Sequence, residues 1–267
     1  MSEESETKGK QELVKVTIDD QTIEVPKGTT LLHAAMKLDI NIPTLCFHES
    51  LPPQGSCRVC VVEITDKTGK WTWIDASCVY PVSEGLSVQT QSPNVIKHRR
   101  AIIELLLSRA PKSEVLLLLA EKYGANPTRY TAIDKGEANC ILCQLCVRTC
   151  NEIVGAQAIG TAERGLHKKV ISPFSIAKEN CIGCTACIHV CPTGAIVAKL
   201  GKESFEIEDW GVDLKMATCS CCDKPFAPTV HLEKLKSQVN LKNQLWEMCP
   251  ECRRSANKVG TPYSPII

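Results

Sequence analysis

The chain has 267 residues, room for two or three small domains. Its formal net charge is +1, which argues against an electrostatic partner such as nucleic acid or an anionic membrane, and with 4% aromatic residues the core must rest on aliphatic side chains. The anomaly is cysteine, at 17 residues. Such a content fits either a disulfide framework in an exported protein or soft-ligand metal sites in a reducing compartment. The start, Met1-Ser2-Glu3-Glu4-Ser5-Glu6, is acidic with no apolar signal region behind it, and the longest greasy run, Val115 to Ala120, is far too short to span a bilayer. The expectation is a cytoplasmic protein with no membrane span, whose thiols stay reduced and available to metal.

Residues 1–11 are charged and unpatterned and read as disordered. Val14, Val16 and Ile18 then alternate with polar residues, and after Asp19-Asp20-Gln21 the alternation resumes at Ile23 and Val25, which predicts a β-hairpin. Thr30 is placed to cap a helix carrying Leu31, Leu32, Ala35 and Leu38. A cysteine-rich loop follows, then strand at Cys60-Val61-Val62-Glu63-Ile64. Hairpin, helix, cysteine loop and strand in that order predict a β-grasp ferredoxin domain over residues 12–91. Ser92-Pro93 starts a helix with Val95, Ile96, Ile102, Ile103, Leu106 and Leu107, stopped by Pro111. A second helix runs from Ser113 towards Gly124, and residues 92–135 read as a helical connector or as helices capping the flanking domains. Within the first of these helices, Lys97-His98-Arg99-Arg100 is either a partner for negative charge, on another protein or on a bound cluster, or a solvated helix face.

Residues 136–205 contain an internal repeat. Cys140-Ile-Leu-Cys143-Gln-Leu-Cys146-Val-Arg-Thr-Cys150 is echoed by Cys181-Ile-Gly-Cys184-Thr-Ala-Cys187-Ile-His-Val-Cys191-Pro192. Cys-x2-Cys-x2-Cys-x3-Cys offers three thiolates from one tight loop and a fourth just beyond, the run that binds [4Fe–4S] clusters. This segment closely resembles bacterial two-cluster ferredoxins, in which the fourth cysteine of each run serves the other cluster. The resemblance implies one [4Fe–4S] on Cys140, Cys143, Cys146 and Cys191, and a second on Cys150, Cys181, Cys184 and Cys187. Asn151 departs from the proline expected after the first run, at no loss of a ligand. Gly183 stands either where backbone approaches inorganic sulfide or in an ordinary turn.

Cys46, Cys57, Cys60 and Cys78 form another set, with gaps of ten, two and seventeen residues. Four thiolates on the loops of a β-grasp domain fit a [2Fe–2S] rhombus, although plant-type ferredoxins use a shorter first gap. The sequences Ile42-Pro43-Thr44-Leu45-Cys46, Gly55-Ser56-Cys57-Arg58-Val59-Cys60-Val61-Val62-Glu63, Ala76-Ser77-Cys78, Glu84-Gly85-Leu86-Ser87-Val88 and Arg99-Arg100 resemble the N-terminal domain of the large iron–sulfur subunit of respiratory NADH dehydrogenase. They are also similar to the related subunits of NAD-linked hydrogenases. His48, two residues past a ligand, reads as a solvated loop residue rather than as a Rieske-type ligand. Between Arg109 and Asn139 there is neither cysteine nor histidine, so the further one-histidine, three-cysteine cluster of those large subunits is not expected. Nor is a large molybdopterin-type or catalytic-cluster domain expected. What remains resembles the small diaphorase iron–sulfur subunit found beside flavin subunits in soluble hydrogenases and in electron-bifurcating NAD(P)-linked complexes.

A Cys-rich module at 206–267 completes an α+β chain. It holds Cys219-Ser-Cys221-Cys222 and Cys249-Pro-Glu-Cys252. Two Cys-x2-Cys pairs on separate knuckles suit tetrahedral Zn²⁺ on Cys219, Cys222, Cys249 and Cys252; a third [4Fe–4S] cluster is the rival, and Cys221 is a possible substitute ligand. His231 reads as solvated. No glycine-rich dinucleotide loop or phosphate loop occurs, so FMN or FAD and NAD(P) are expected on a partner. The reading is an electron-transfer subunit that relays electrons between a flavin/NAD(P)-binding subunit and a further redox subunit, with no nucleic-acid partner. A free multi-cluster carrier is the alternative. A succinate-dehydrogenase-like subunit fits poorly, because its first gap should be nearer the plant type.

Overall fold

A computed structural model describes residues 12–133, 139–201, 203–239 and 246–256; the disordered stretch expected at 1–11 lies outside them. The chain forms two compact units, Met1–Cys143 and Gln144–Ile267.

In the first unit, β1 (Leu13–Ile18) and β2 (Gln21–Pro26) pair antiparallel with Ile18 opposite Gln21. The two residues between them, Asp19 and Asp20, have φ of 43° and 68°. A two-residue turn with both φ positive matches the twist of the flanking strands, and aspartate tolerates that backbone region. The Asp19 carboxylate then accepts from the Thr90 backbone N–H at 2.7 Å and from the Thr90 hydroxyl, fastening the turn to the end of β5 (Leu86–Gln89). Helix α1 (Leu31–Met36) starts where Thr30 accepts from the His33 N–H. With β3 (Val61–Thr65) and β4 (Thr72–Ala76) the sheet runs β2-β1-β5-β3-β4; β1 and β5 are parallel and the other neighbours antiparallel. This is the β-grasp arrangement. Val14, Val16 and Ile18 point inward, as the period of two requires, onto α1 and onto Val62, Ile64 and Val88.

Helix α2 (Pro93–Arg109) is capped by Ser92, whose hydroxyl accepts from the Val95 N–H at 3.2 Å, with proline in the first turn. Helix α3 (Glu114–Tyr123) ends on Gly124 in the left-handed region at φ 65°. Both helices pack with the first unit, α2 against β3 through Arg99, whose guanidinium donates to the Val59 and Val61 carbonyls.

The second unit opens with α4 (Leu145–Arg148), which runs into a π-helical turn at Thr149–Ile153. A hairpin of β6 (Gly160–Ala162) and β7 (Lys169–Ile171) and the short helices α5 (Ala177–Asn180) and α6 (Ala186–His189) follow. A four-stranded sheet of order β11-β10-β9-β8 comes next: β8 Lys199–Leu200, β9 Ser204–Ile207, β10 Val212–Thr218 and β11 Pro225–Pro228. Helix α7 (Thr229–Gln238) and a last helix, Pro250–Ala256, complete it. Phe205, Ile207, Val212, Leu214 and Met216 from the sheet share one apolar cluster with Cys146, Val147, Ala158, Ile159 and Ala177. The division drawn from sequence between residues 205 and 206 thus falls inside β9 and inside a common core. Among the described residues no helix is long and apolar enough to cross a membrane.

Candidate metal centres

The first unit gathers Cys46, Cys57, Cys60 and Cys78. Cys57 and Cys60 belong to the loop entering β3, Cys78 follows β4, and all four are between 1% and 4% exposed. Gly55 at φ 68° and Arg58 at φ 61° bend that loop back on itself. The sulfurs associate in two pairs. Cys46 is drawn down to about 6, first by the Cys57 thiol and also by the Cys57 N–H at 3.3 Å, while the Cys57 thiol is pushed up in return. Cys60 is drawn down to about 7, chiefly by Cys78. The Cys78 thiol is pushed up by that same bond, then by burial and by negative charge on Cys60, Cys46 and Cys57. Four buried sulfurs, two by two, supply the two thiolates per iron that a [2Fe–2S] rhombus needs. His48 is exposed and accepts from the Ser50 N–H at 3.2 Å.

The repeat in sequence is a repeat in backbone. Leu142 and Gly183 have φ of 56° and 68°, and Gln144 and Thr185 both have 62°. The Leu142 N–H lies 3.4 Å from the Cys140 sulfur and the Gly183 N–H 3.5 Å from the Cys181 sulfur. Left-handed residues two apart turn backbone N–H groups of each loop towards its sulfurs, making a concavity suited to anionic sulfur. Of the two predicted ligand sets, Cys150, Cys181, Cys184 and Cys187 line one cavity together with Val154, Ile159, Ile207 and Trp210. Burial, then the charges of Cys184, Cys181 and Cys150, pushes Cys187 up to about 12. Such a site favours its thiolates only when a cation compensates them. The Ala158 N–H donates to Cys150 at 3.4 Å. Of the other set, Cys140 and Cys143 close the first unit, while Cys146 and Cys191 belong to the second and join its apolar cluster. The Ala195 N–H donates to the Cys191 sulfur at 3.3 Å, and Thr193, unnoticed in the sequence, places its hydroxyl 3.6 Å from the same sulfur.

Gly183 answers to neither expectation fully. A Cβ there would stand 2.5 Å from Cγ of Pro228 and 3.0 Å from Cδ1 of Leu214. Its side is closed by the C-terminal sheet, in addition to its positive φ.

At the C-terminal site the sulfurs of Cys219, Cys222, Cys249 and Cys252 lie within 4.8 Å of one another, with Cys222 and Cys249 at 3.8 Å. A zinc ion with Zn–S bonds of about 2.3 Å sets the edge of its sulfur tetrahedron near ~3.8 Å. In a [4Fe–4S] cube each thiolate binds a corner iron, so the four sulfurs stand much wider apart. The donor set therefore fits a single tetrahedral ion. Cys219 is fully buried and drawn down to about 6, chiefly by the Cys249 N–H at 3.2 Å. Cys221 is exposed and outside this group, and its hydrogen bond is the first of those pushing the Cys252 thiol up. His231, half-buried on α7, is no member of the group either.

A 2Fe-2S iron-sulfur cluster binding domain family matches residues 11–93, and a 4Fe-4S dicluster domain family matches residues 132–198. Both are iron–sulfur domains. The chain is 34% identical to a subunit of an NADH-quinone oxidoreductase of Rhizobium meliloti (strain 1021) over 83% of its length. It is 35% identical to NADP-reducing hydrogenase subunit HndD of Solidesulfovibrio fructosivorans over 69%. To the NADPH-Fe(3+) oxidoreductase subunit alpha of Geobacter sulfurreducens it is 34% identical over 79%. It spans only 28%, 36% and 27% of those proteins. A chain of a crystal structure of NAD+-reducing [NiFe]-hydrogenase in the H2-reduced state is similar at 27% identity and a TM-score of 0.57, over 74% of this chain and 88% of that one.

Proposed function

We propose that the chain is the iron–sulfur electron-transfer subunit of a multisubunit, flavin-dependent NAD(P)(H) oxidoreductase of hydrogenase or bifurcating type. It relays electrons between a flavin subunit and another redox site. The observation that carries this is the succession, in one chain, of a [2Fe–2S] domain and a two-cluster domain, in a protein that matches nearly the whole of one chain of an NAD+-reducing hydrogenase. Cys46 with Cys57, and Cys60 with Cys78, would each hold one iron of a [2Fe–2S] centre. Cys150, Cys181, Cys184 and Cys187 would hold one [4Fe–4S] cluster, and on the spacing of the repeat Cys140, Cys143, Cys146 and Cys191 the other. When bound, these clusters supply one-electron carriers. The residues keep water from the sulfurs and donate backbone N–H groups to them, which favours the thiolate form and sets each potential. Cys219, Cys222, Cys249 and Cys252 would hold one Zn²⁺ as a structural closure, since four sulfurs at that separation leave no open position.

The test is anaerobic purification from the native host followed by native mass measurement and EPR. A stable complex containing flavin, with [2Fe–2S] and [4Fe–4S] signals, is expected; a free monomer would favour the diffusible carrier. Cys60→Ser should abolish the [2Fe–2S] signal and leave the [4Fe–4S] signals, whereas joint loss of all of them would contradict separate centres.

A further inference from the structure

Arg99 is fully buried on α2, four residues from Val95 and from Ile103 on the same stripe of the helix. Its Nε donates to the Val59 carbonyl at 3.1 Å and its Nη2 to the Val61 carbonyl at 2.8 Å, so the guanidinium straddles the backbone on either side of Cys60. Its Nη1 donates to the Tyr123 hydroxyl at 3.2 Å, and the Tyr123 ring faces the guanidinium at 5.4 Å. Every one of these partners is a neutral group. Among the described residues no carboxylate forms an ion pair with Arg99: the buried carboxylate of the same helix, Glu104, pairs instead with Arg129 at 2.9 Å and accepts from the Asn126 N–H. A guanidinium stays protonated in proteins. An uncompensated buried cation is strongly unfavourable, so the charge calls for an anion nearby. Burial disfavours the charged guanidinium; Tyr123, then the negative charge of Cys60 and last that of Asp19 oppose it. Asp19 makes no ion pair with the guanidinium, whereas Arg99 grips the carbonyls on both sides of Cys60, so the sulfurs of Cys46, Cys57, Cys60 and Cys78 are the anion this geometry addresses.

We propose that Arg99 is the built-in counter-charge of the Cys46/Cys57/Cys60/Cys78 centre and raises its reduction potential. The inference rests on the [2Fe–2S] reading above. Reduction adds one electron from an external reductant and makes the centre one unit more negative. No bond forms and Arg99 gains or loses no proton, so a fixed cation beside the sulfurs favours the reduced form. Arg99 is a positioning and tuning residue: it also ties the ligand loop to α2, and those two roles separate by experiment.

The experiment is a dithionite-linked redox titration of the anaerobically purified full chain, followed through the [2Fe–2S] EPR signal. Arg99→Met should disfavour the reduced form at least tenfold, a midpoint lower by about 59 mV for one electron, while the [4Fe–4S] midpoints stay put. Arg99→Lys, which keeps the charge and loses the fork, should stay within about threefold of the wild type, less than half of that shift. Tyr123→Phe should lower thermal stability with the midpoint unchanged. An unchanged midpoint in cluster-loaded Arg99→Met, or a tenfold fall in Arg99→Lys, would overturn the proposal. If Arg99→Met holds no cluster, Arg99→Gln, which keeps a hydrogen-bonding amide and loses the charge, is read by the same tenfold criterion. A wild-type chain with no [2Fe–2S] signal would instead remove the reading beneath it, which is a different result.

Discussion

Cys46, Cys57, Cys60 and Cys78 sit in loops braced by a five-stranded sheet, and the thiols of the dicluster region sit in loops and on or beside helices of four residues. Cys60 and Cys78 are themselves part of an apolar core that includes Val16, Ile18, Leu31, Val62, Ile64 and Val88. Cys181, Cys184 and Cys187 are only half-buried, the helices around them are four residues long, and their inner face is the cavity the sulfurs line. Helices that short are not stable alone. In the first unit packing holds the ligands and the metal comes second; in the dicluster region the metal is part of the packing, and ligand binding there is folding free energy.

Stripping the iron should expose this contrast most visibly. In hydrogen exchange of the apo chain, amides of α4 and α6 should exchange about a hundredfold faster or more, whereas β1, β3 and β5 should change by less than about threefold. Equal loss of protection in both regions would refute the contrast. Next in size, Cys249→Ser should reduce zinc from about one ion per chain to near none and lower the thermal midpoint, with iron unchanged; concurrent loss of about four irons would mean a third cluster sits there. Gly183→Ala combines a left-handed φ with a Cβ against Pro228 and should cost about 2–4 kcal/mol in denaturant unfolding of the second unit. Gly155→Ala, where φ is 69° but nothing lies within 4 Å, should cost only about 1 kcal/mol. Of the same size is Ser92→Ala, which removes the cap of α2 and should cost about 1 kcal/mol with cluster content unaltered.

Much of this was legible because the signals were local. The alternation at Val14, Val16 and Ile18, the caps at Thr30 and Ser92, and the αL stop at Gly124 are each decided within a few residues. The duplicated cysteine spacing carries the turn geometry with it, down to matching positive φ at Leu142 and Gly183. The C-terminal sheet was legible in principle, since Val212, Leu214 and Met216 alternate, but its shared core with Ala158 and Ala177 depends on long-range packing. Arg99 hid in a basic run. Only its register with Val95, Ile103 and Leu107 sets it apart from Lys97, His98 and Arg100, which are exposed. The close approach of Pro228 to Gly183 could not be read, because Pro228 lies 45 residues downstream of it.

Metal and acid-labile sulfide analysis of the anaerobically purified full chain reaches the core of the account. The cysteine sets call for about ten irons with matching sulfide, and about one zinc, per chain. A colourless protein devoid of labile sulfide would contradict it outright.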